Sequence, residues 1–494
     1  MKKTLLIVLL TLYSSINNAQ ELISEFNHSL KTSRSKQKDI YPLVNTKDNS
    51  FSIFIADAKK AYCYKFDNNF RLTHQLQFDN KLRKYKQIIG YSFLENGDYK
   101  VYLKNKKNDF LEVSFLFEEK RSTSKEFKLL TDYETYLQSF TLNNKFYLVS
   151  SAKKVNGLYF YTFDTETPKR NKIDLTKIKA LSIDNQKVDL MSALLESKEP
   201  LLKFDQSSPQ SIVTSSTSYK MFLNDRTVTF LLNNNSNFTQ ILRVNIDDFS
   251  ANFEKINNPL ETTKRRHKKS NAFLNNDHLF SLAVSKDSLK LKITPFNDRE
   301  NFTEYSVSKK DSIDFKNSSI RYSAGGKYKK NTSKNLIRQM RYGKPSINVI
   351  SNNNKYNLTI GCVLPQTTYF GPALRVGFSD AGFTSTRPSY GIHFGSFIDY
   401  ALASDYLLFS SILDSNLNHL KDEKTDNVYE KVKDYLDPNR TEETLKKVFH
   451  IENPFKSDNL DTDDSIFKYL DYYIYIDYNK KTNSYKLLKF EPFK

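Results

Sequence analysis

The chain has 494 residues and contains no tryptophan, two cysteines, 12 glycines and 13 prolines. So little glycine and proline argues against long low-complexity linkers. Two cysteines do not make the disulfide framework that staples small secreted domains. After the first residues, no stretch is long and apolar enough for a membrane helix, so an integral membrane protein is not expected. What remains is a large chain with an ordinary folded core.

Both cysteines, Cys63 and Cys362, lie in sequence that resembles strands. The pattern favours two buried thiols that behave as small apolar residues. In an oxidising compartment they could instead pair, and the sequence leaves this open.

Motifs for catalysis and cofactor binding are also missing. There is no GxSxG turn and no GxGxxG or GxxxxGKS loop. The seven histidines show none of the HxH, HxxxH or HExxH spacings that hold zinc. We therefore expect no cofactor and no metal, and we favour a binding protein over an enzyme, although a carboxylate pair for glycoside chemistry needs no local motif. Four clustered acids without the EF-hand spacing indicate a solvated turn: Asp458, Asp461, Asp463 and Asp464.

The N-terminus has the features of a cleavable signal peptide. Two lysines precede an apolar run over residues 4–13, which is shorter than the about 20 residues that cross a bilayer. A polar stretch then ends at Ala19, a small residue that suits a signal peptidase. We expect residues 1–19 to be removed, Gln20 to become the N-terminus, and the protein to be exported to the periplasm, the outer surface or the medium.

The net charge is +19 and the isoelectric point is near 9.4, which favours an anionic partner. Lysine is abundant together with asparagine, isoleucine, phenylalanine and tyrosine, as in proteins from AT-rich coding sequence. A diffuse excess of lysine is therefore not in itself a binding patch. Aromatic residues make up 14% of the chain although the mean hydropathy is −0.60. This aromatic content can bury a large core, so disorder is not the default.

From about residue 43 one unit recurs: an apolar strand, a turn rich in asparagine, aspartate or glycine, and a second strongly apolar strand. A further polar turn and a third strand follow. Because these residues accept the backbone angles of tight turns, each unit predicts a hairpin with an added strand. The turns recur roughly every 50 residues. The first turns of the five copies lie at residues 57–60, 95–98, 143–144, 224–226 and 275–277.

This recurrence resembles the β-propeller superfamily, over residues 43–300 most clearly. The resemblance is architectural, since the chain has no tryptophan-aspartate pair, no kelch double glycine and no sialidase aspartate box. It implies an all-β propeller of about six or seven blades over residues 43–494, after an N-terminal segment at residues 20–42. In a propeller the last strands often close the ring against the first. The alternative is a repetitive array of β-sandwiches.

Insertions interrupt the repeat near residues 179–215, 310–345 and 413–448, and helical patterns are expected in the first and the last of them. Residues 188–195 have a short helical pattern, and residues 426–448 have a longer one that Pro438 breaks. Residues 310–345 are basic and polar and predict a long connection, which is either functional or simply mobile.

Two segments are candidate binding sites. Five basic residues form a run dense enough to hold phosphate or sulfate groups, and a second basic stretch at residues 327–344 adds Arg338, Arg341 and Lys344. Half of all glycines fall in residues 361–395, which favours either a tightly packed hairpin or a binding loop. The run consists of Lys264, Arg265, Arg266, Lys268 and Lys269, and the loop candidates are Arg375, Asp380, Arg387, Tyr390 and His393.

These features favour an exported, non-enzymatic propeller that binds a cell-envelope protein or a polyanionic envelope component. For such a protein, an anionic glycan or lipid is a better partner than nucleic acid, which is not expected. Two alternatives stay open: a glycan-active hydrolase or lyase with a propeller fold, and a structural subunit of an envelope assembly.

Overall fold

The computed structural model describes most of the chain between Gln20 and Glu491. The described residues are 20–28, 39–56, 60–79, 84–85, 87–152, 155–163, 167–196, 199–204, 206, 209–260, 268–322, 332–364, 406–424, 428, 431–432, 435, 465–479 and 481–491. The predicted signal peptide at residues 1–19 and most of the predicted helical segment 426–448 lie outside them.

Strands dominate these residues. In chain order they are β1 Gln20–Asn27, β2 Asp39–Val44, β3 Phe51–Ala56, β4 Lys60–Phe66, β5 Leu72–Asp79, β6 Gln87–Phe93, β7 Tyr99–Lys104, β8 Phe110–Leu116, β9 Arg121–Phe127, β10 Thr135–Leu142, β11 Lys145–Ala152, β12 Gly157–Thr162, β13 Lys169–Ile173, β14 Lys179–Leu181, β15 Lys187–Asp189, β16 Leu202–Phe204, β17 Tyr219–Asn224, β18 Thr227–Leu232, β19 Phe238–Asn245, β20 Ala251–Asn257, β21 Lys269–Asn275, β22 His278–Val284, β23 Ser288–Pro295, β24 Thr303–Ser308, β25 Arg321–Tyr322, β26 Lys344–Asn352, β27 Lys355–Val363, β28 Tyr406–Leu413, β29 Ser465–Tyr469, β30 Tyr472–Asn479 and β31 Ser484–Phe490. The helices are α1 Leu190–Leu194, α2 Ile212–Ser215 and α3 Ser333–Tyr342.

The described strands form seven sheets of four or five strands and one two-stranded ribbon, β14-β15. In most of the seven, each strand pairs antiparallel with the next one along the chain. Small up-and-down sheets that follow one another are the blades of a β-propeller, because stacking buries faces that one such sheet leaves exposed. The predicted all-β propeller class is confirmed, and seven sheets are compatible with six or seven blades.

The chain divides into two compact units, and the first comprises residues 1–79 and 426–494. It contains the sheet β2-β3-β4-β5 and the sheet β1-β31-β30-β29. Gln20 pairs with Phe490, so a strand from the N-terminal segment completes the sheet of the last three strands. Aromatic rings fill the core of this unit, where the rings of Phe51 and Phe66 stack with centroids 4.9 Å apart.

The second unit comprises residues 80–425 and holds the other sheets. These are β6-β7-β8-β9, β10-β11-β12-β13, β16-β17-β18-β19-β20, β21-β22-β23-β24 and β25-β28-β27-β26. The edge strands β21 and β26 of two sheets pack closely against each other. This contact matters below because both strands begin with a lysine.

Asparagine occupies the turns that demand a left-handed backbone. Asn143 and Asn144 lie between β10 and β11 with φ of 50° and 63°, and Asn276 lies between β21 and β22 with φ of 49°. Asparagine tolerates this region better than other residues with a side chain, because its amide bonds the local backbone. The asparagine turns predicted from the sequence are therefore confirmed at these hairpins.

The first two interruptions contain more regular structure than the sequence indicated. Helix α1 confirms the short helical pattern predicted at residues 188–195. Strand β16, from the same interruption, pairs parallel with β17. Residues 310–345, read from the sequence as a polar connection, contain the ten-residue helix α3. That reading is corrected, since Leu336, Ile337 and Met340 supply an apolar stripe that the surrounding polar residues obscured.

Both cysteines are buried free thiols, Cys63 on β4 and Cys362 on β27. Burial raises the pKa of each to about 12. The interpretation of both as small buried apolar residues is confirmed, since a thiol with so high a pKa is unreactive at neutral pH.

Among the described residues, no helix is both long and apolar enough to cross a membrane. The same part of the chain brings no three histidine, cysteine, aspartate or glutamate side chains together in a way that could hold a metal ion. The four clustered aspartates at residues 458–464 lie outside it.

Candidate functional site

The structure describes two of the ten candidate residues. Lys268 is buried, and its ammonium group donates a hydrogen bond to the carbonyl of Leu260 at 3.0 Å. Lys269 begins β21 and is exposed. The remaining candidates lie outside the described residues: Lys264, Arg265, Arg266, Arg375, Asp380, Arg387, Tyr390 and His393.

The two basic stretches of the sequence meet at Lys269. Its Nζ donates hydrogen bonds to the carbonyl oxygen of Gly343 at 2.7 Å and to that of Tyr342 at 3.1 Å. Both carbonyls belong to the C-terminal end of α3, where backbone acceptors have no partner inside the helix. A cation there also opposes the negative end of the helix dipole. Lys269, the last residue of the first basic run, thus contacts the end of the second basic stretch.

Helix α3 presents a basic side to solvent because its apolar side is committed to the core. Thr332 caps the helix by accepting a hydrogen bond from the backbone N–H of Asn335 at 3.3 Å. The buried side packs against β26 and β27. Lys334, Arg338 and Arg341 recur at spacings of four and three residues, which places them on one side of the helix. Lys334 and Arg338 are exposed, and Arg341 is partly exposed.

Gly343 ends α3 and lets the chain turn tightly into β26. A Cβ atom at this position would lie 2.1 Å from the carbonyl oxygen of Val363 on the paired strand β27. Such a separation is far inside van der Waals contact, so only glycine fits without moving the backbone. The close approach fixes the end of α3 relative to the sheet, and with it the position of the neighbouring basic side chains.

Lys344 follows directly and is paired with an acid. Its Nζ lies 2.8 Å from Glu199 Oε1, and the backbone N–H of Ser218 donates to Glu199 Oε2 at 2.8 Å. Burial alone would raise the pKa of the Glu199 carboxyl, but the hydrogen bonds from Lys344 and Ser218 outweigh it and hold that pKa below its ordinary value. Glu199 is therefore a fixed negative charge within a mainly positive region.

Lys220 lies fully buried on β17, near Glu199. Its Nζ donates to the carbonyl of Thr217 at 2.7 Å and to Asn271 Oδ1 at 3.1 Å. Burial lowers the pKa of Lys220 to about 7, and the nearby Glu199 carboxylate opposes part of that shift. Because this amine has no exposed surface, it contributes to the interior of the site and not to its accessible face.

We call Lys269, Lys334, Arg338, Arg341 and Lys344 the α3 basic surface. Within the described part of the chain, Lys334 and Arg338 have no acidic partner. Arg341 acts on the carboxylate of Asp287, although the hydrogen bond from Lys309 is the main cause of that carboxyl's lowered pKa. The surface is therefore only partly neutralised, and its chemistry is that of anion binding.

A buried carboxylate elsewhere in the second unit is fully satisfied. Glu134 accepts hydrogen bonds from Ser150, Tyr161, Thr131 and Arg170, the last through two nitrogens at 2.7 and 3.0 Å. Burial alone would raise the pKa of Glu134, but these bonds outweigh it and lower that pKa. Every strong acceptor position is occupied, so Glu134 holds its sheet together and has no free oxygen for acid–base chemistry.

The sequence analysis identified four of the five cations of this surface but not that they lie together. It named the run at residues 264–269 and three members of the second stretch, and it missed Lys334 and the helix itself. The signal was the helical spacing of three apolar residues in an otherwise polar segment, since Met340 follows Leu336 by four residues and Ile337 by three.

No protein-family model and no curated protein matches the chain. Several solved structures are similar to it at low identity. The SapL1 lectin in complex with α-methyl fucoside is 9% identical, with a TM-score of 0.25, and the match covers 66% of this chain and 88% of the lectin. AofleA from Arthrobotrys oligospora is 7% identical, with a TM-score of 0.25, covering 70% and 84%. The WD40 domain of SCAP from fission yeast is 9% identical, with a TM-score of 0.25, covering 61% and 92%. Because the TM-scores are this low, these similarities support no conclusion about function.

Proposed function

We propose that this protein is a binding propeller whose α3 basic surface holds a polyanion, and that it acts after export from the cytoplasm. The observation that carries the proposal is the pair of hydrogen bonds from Lys269 to Tyr342 and Gly343. They join two basic stretches more than 70 residues apart into one surface. A charge excess spread over a chain binds nothing in particular, whereas clustered cations attract a polymer of anions.

Local electrostatics support the same conclusion. Three cations on one side of a short helix repel one another, because like charges one turn apart are destabilising. Among the described residues, Glu199 and Asp287 are the acids that interact with this surface, and each is already paired with a lysine. A bound phosphate, sulfate or carboxylate polymer relieves this repulsion. At physiological ionic strength the attraction reaches about 8 Å, so the anions must sit on the surface itself.

Retention on immobilised heparin tests the proposal. The variant Lys334→Ser/Arg338→Ser/Arg341→Ser removes three exposed cations and no buried contact. We expect the wild-type protein to be retained and to elute only at raised salt, and the variant to elute much earlier.

The matched control is Lys106→Ser/Lys107→Ser/Lys128→Ser, which removes the same charge from exposed positions in the turn between β7 and β8 and just after β9. We expect it to elute close to the wild type. Equal losses in the two variants would show that only net charge matters, and unchanged elution of the α3 variant would overturn the proposal. Circular dichroism spectra of both variants establish that each is folded.

The basic run adjoining Lys269 extends this surface in our proposal. Lys264→Ser/Arg265→Ser/Arg266→Ser should lower retention further when it is combined with the α3 variant. Lys268 is excluded from the test, because its ammonium group is buried against Leu260 and its loss would disturb folding. Additive losses would place the run on the same ligand, and no added loss would remove it from the proposed site.

Export rests on the signal-peptide pattern. Cleavage after Ala19 would leave β1 whole, since that strand begins at Gln20. Sequencing the N-terminus of the mature protein tests this, with Gln20 as the expected first residue. Retention of residues 1–19 in the mature protein would contradict it.

A further inference from the structure

Tyr342 is an exposed aromatic residue that adjoins the α3 basic surface. It is the last residue of α3, and its side chain is 60% exposed. The guanidinium carbon of Arg341 lies 5.7 Å from the centre of its ring. A ring this exposed removes little apolar area from water, so burial gives little reason for an aromatic residue at this position.

The backbone beneath this ring is held unusually firmly. Lys269 binds the carbonyl of Tyr342 itself, and the next residue, Gly343, is locked by its approach to Val363. A ring on a fixed backbone loses little freedom when it binds a ligand, and this lowers the entropic cost of binding. Tyr342 is thus a prepositioned flat surface beside the cations Lys269, Arg341 and Lys344.

We propose that the polyanion is an acidic polysaccharide, and that Tyr342 recognises it by stacking on a sugar ring while the neighbouring cations bind its carboxylate or sulfate groups. This inference rests on the proposed function and adds its ligand class and a specificity residue. A sugar has an apolar ring face and charged substituents on one monomer. That combination matches an aromatic side chain next to Arg341 and Lys344.

Two other polyanions fit the surface less well. A helix that binds a membrane surface inserts an exposed apolar side into the lipid. The apolar side of α3 is buried, and its exposed side is polar. Single-stranded nucleic acid is bound by several aromatic side chains on which successive bases stack. Tyr342 is the one tyrosine, phenylalanine or tryptophan of α3.

The test compares a ligand that has sugar rings with one that has none. Dissociation constants for heparin and for long-chain inorganic polyphosphate are measured for the wild type, Tyr342→Ala and Tyr342→Phe. We expect Tyr342→Ala to weaken heparin binding about tenfold, in the range of aromatic stacking losses. Its affinity for polyphosphate should change less than about twofold, since charge is unaltered. Tyr342→Phe keeps the ring and should bind heparin nearly as the wild type does.

The outcomes separate this inference from the proposed function. If Lys334→Ser/Arg338→Ser/Arg341→Ser leaves binding of both ligands unchanged, the basic surface itself is wrong. If that variant loses both ligands while Tyr342→Ala loses neither, the surface stands and the sugar stacking is overturned. Equal losses of both ligands in Tyr342→Ala would also overturn it. Single-stranded oligothymidylate is measured as a third ligand. If Tyr342→Ala loses tenfold in affinity for this ligand alone, the ring binds nucleic acid and the inference is overturned. Unfolding midpoints of the Tyr342 variants are measured alongside, and we expect no change at so exposed a residue.

Discussion

The ammonium group of Lys269 lies 2.7 Å from the carbonyl oxygen of Gly343, which is 74 residues further along the chain. This contact caps the C-terminus of α3 and joins the two basic stretches of the sequence. Its loss should therefore affect stability as well as binding.

Lys269→Met removes the donor to two helix-terminal carbonyls and keeps the length of the side chain. We expect the free energy of unfolding to fall by about 1–2 kcal/mol, because both acceptors lose a charged partner. Urea unfolding measures it. Lys255→Met, at an exposed position of β20, is the control and should change stability by less than about 0.5 kcal/mol. Equal effects of the two substitutions would show that Lys269 does not cap the helix.

Gly343→Ala tests the close approach at the end of α3. Its Cβ would meet the backbone carbonyl of Val363 at 2.1 Å, and a paired strand cannot move aside easily. We expect a loss of more than about 2 kcal/mol, within the range of overpacking changes. Gly157→Ala is the comparison, because its nearest neighbour at 2.7 Å is the end of the Tyr159 side chain and not a backbone atom. A Gly343→Ala protein as stable as Gly157→Ala would contradict the described backbone geometry.

Lys220 should make the free energy of unfolding depend on pH above about pH 7. Its pKa is about 7 in the folded protein, and about 10.4 is usual for an unfolded chain. Between these values the unfolded chain binds the extra proton, so the free energy of unfolding rises with pH. The slope should approach about 1.4 kcal/mol per pH unit in the middle of that window and vanish below pH 7.

The measurement is urea unfolding from pH 7 to 10 for the wild type and for Lys220→Met. Because the two proteins differ only at residue 220, the difference between their curves isolates the titration of Lys220. We expect the variant to lack the rise. Parallel curves would mean that Lys220 is charged in the folded protein.

Leu470 occupies a turn that asparagine fills elsewhere in the chain. Its φ is 52° and its side chain is 53% exposed. An apolar residue in the left-handed region is strained, and here little packing offsets the strain. We expect Leu470→Asn to stabilise the protein by about 0.5–1 kcal/mol, in the range of compatible turn substitutions.

Leu417 provides the matched comparison for this turn. It has a similar φ of 66° but is only 7% exposed. Leu417→Asn should therefore destabilise the protein, because it buries an amide in a hydrophobic cluster. If both substitutions destabilise to the same extent, the side chain of Leu470 is packed and not strained.

The hairpins were predictable because their information is local. Asn143-Asn144 and Asn276 lie between apolar runs of strand length, and period and turn chemistry point to the same answer there. The partnership of β1 with β31 is different, since Gln20 and Phe490 are separated by nearly the whole chain. No local pattern specifies such a pairing.

The same distinction applies to the candidate site. The sequence displayed Lys269, Arg338, Arg341 and Lys344 as members of two basic stretches. It did not display the carbonyls that join those stretches, because backbone acceptors are identical in every residue. Helix α3 was also hidden, since three buried apolar residues in ten make a weak period amid polar neighbours.

The salt dependence of heparin binding tests the central claim most directly. Dissociation constants are measured by titration at salt concentrations from about 50 to about 300 mM. Both the wild type and Lys334→Ser/Arg338→Ser/Arg341→Ser are measured. If the α3 basic surface binds the polymer, log Kd rises linearly with log salt in the wild type, and the slope falls by about two to three in the variant, close to one for each lost contact. Equal slopes in the two proteins would contradict the account and move the binding site away from α3.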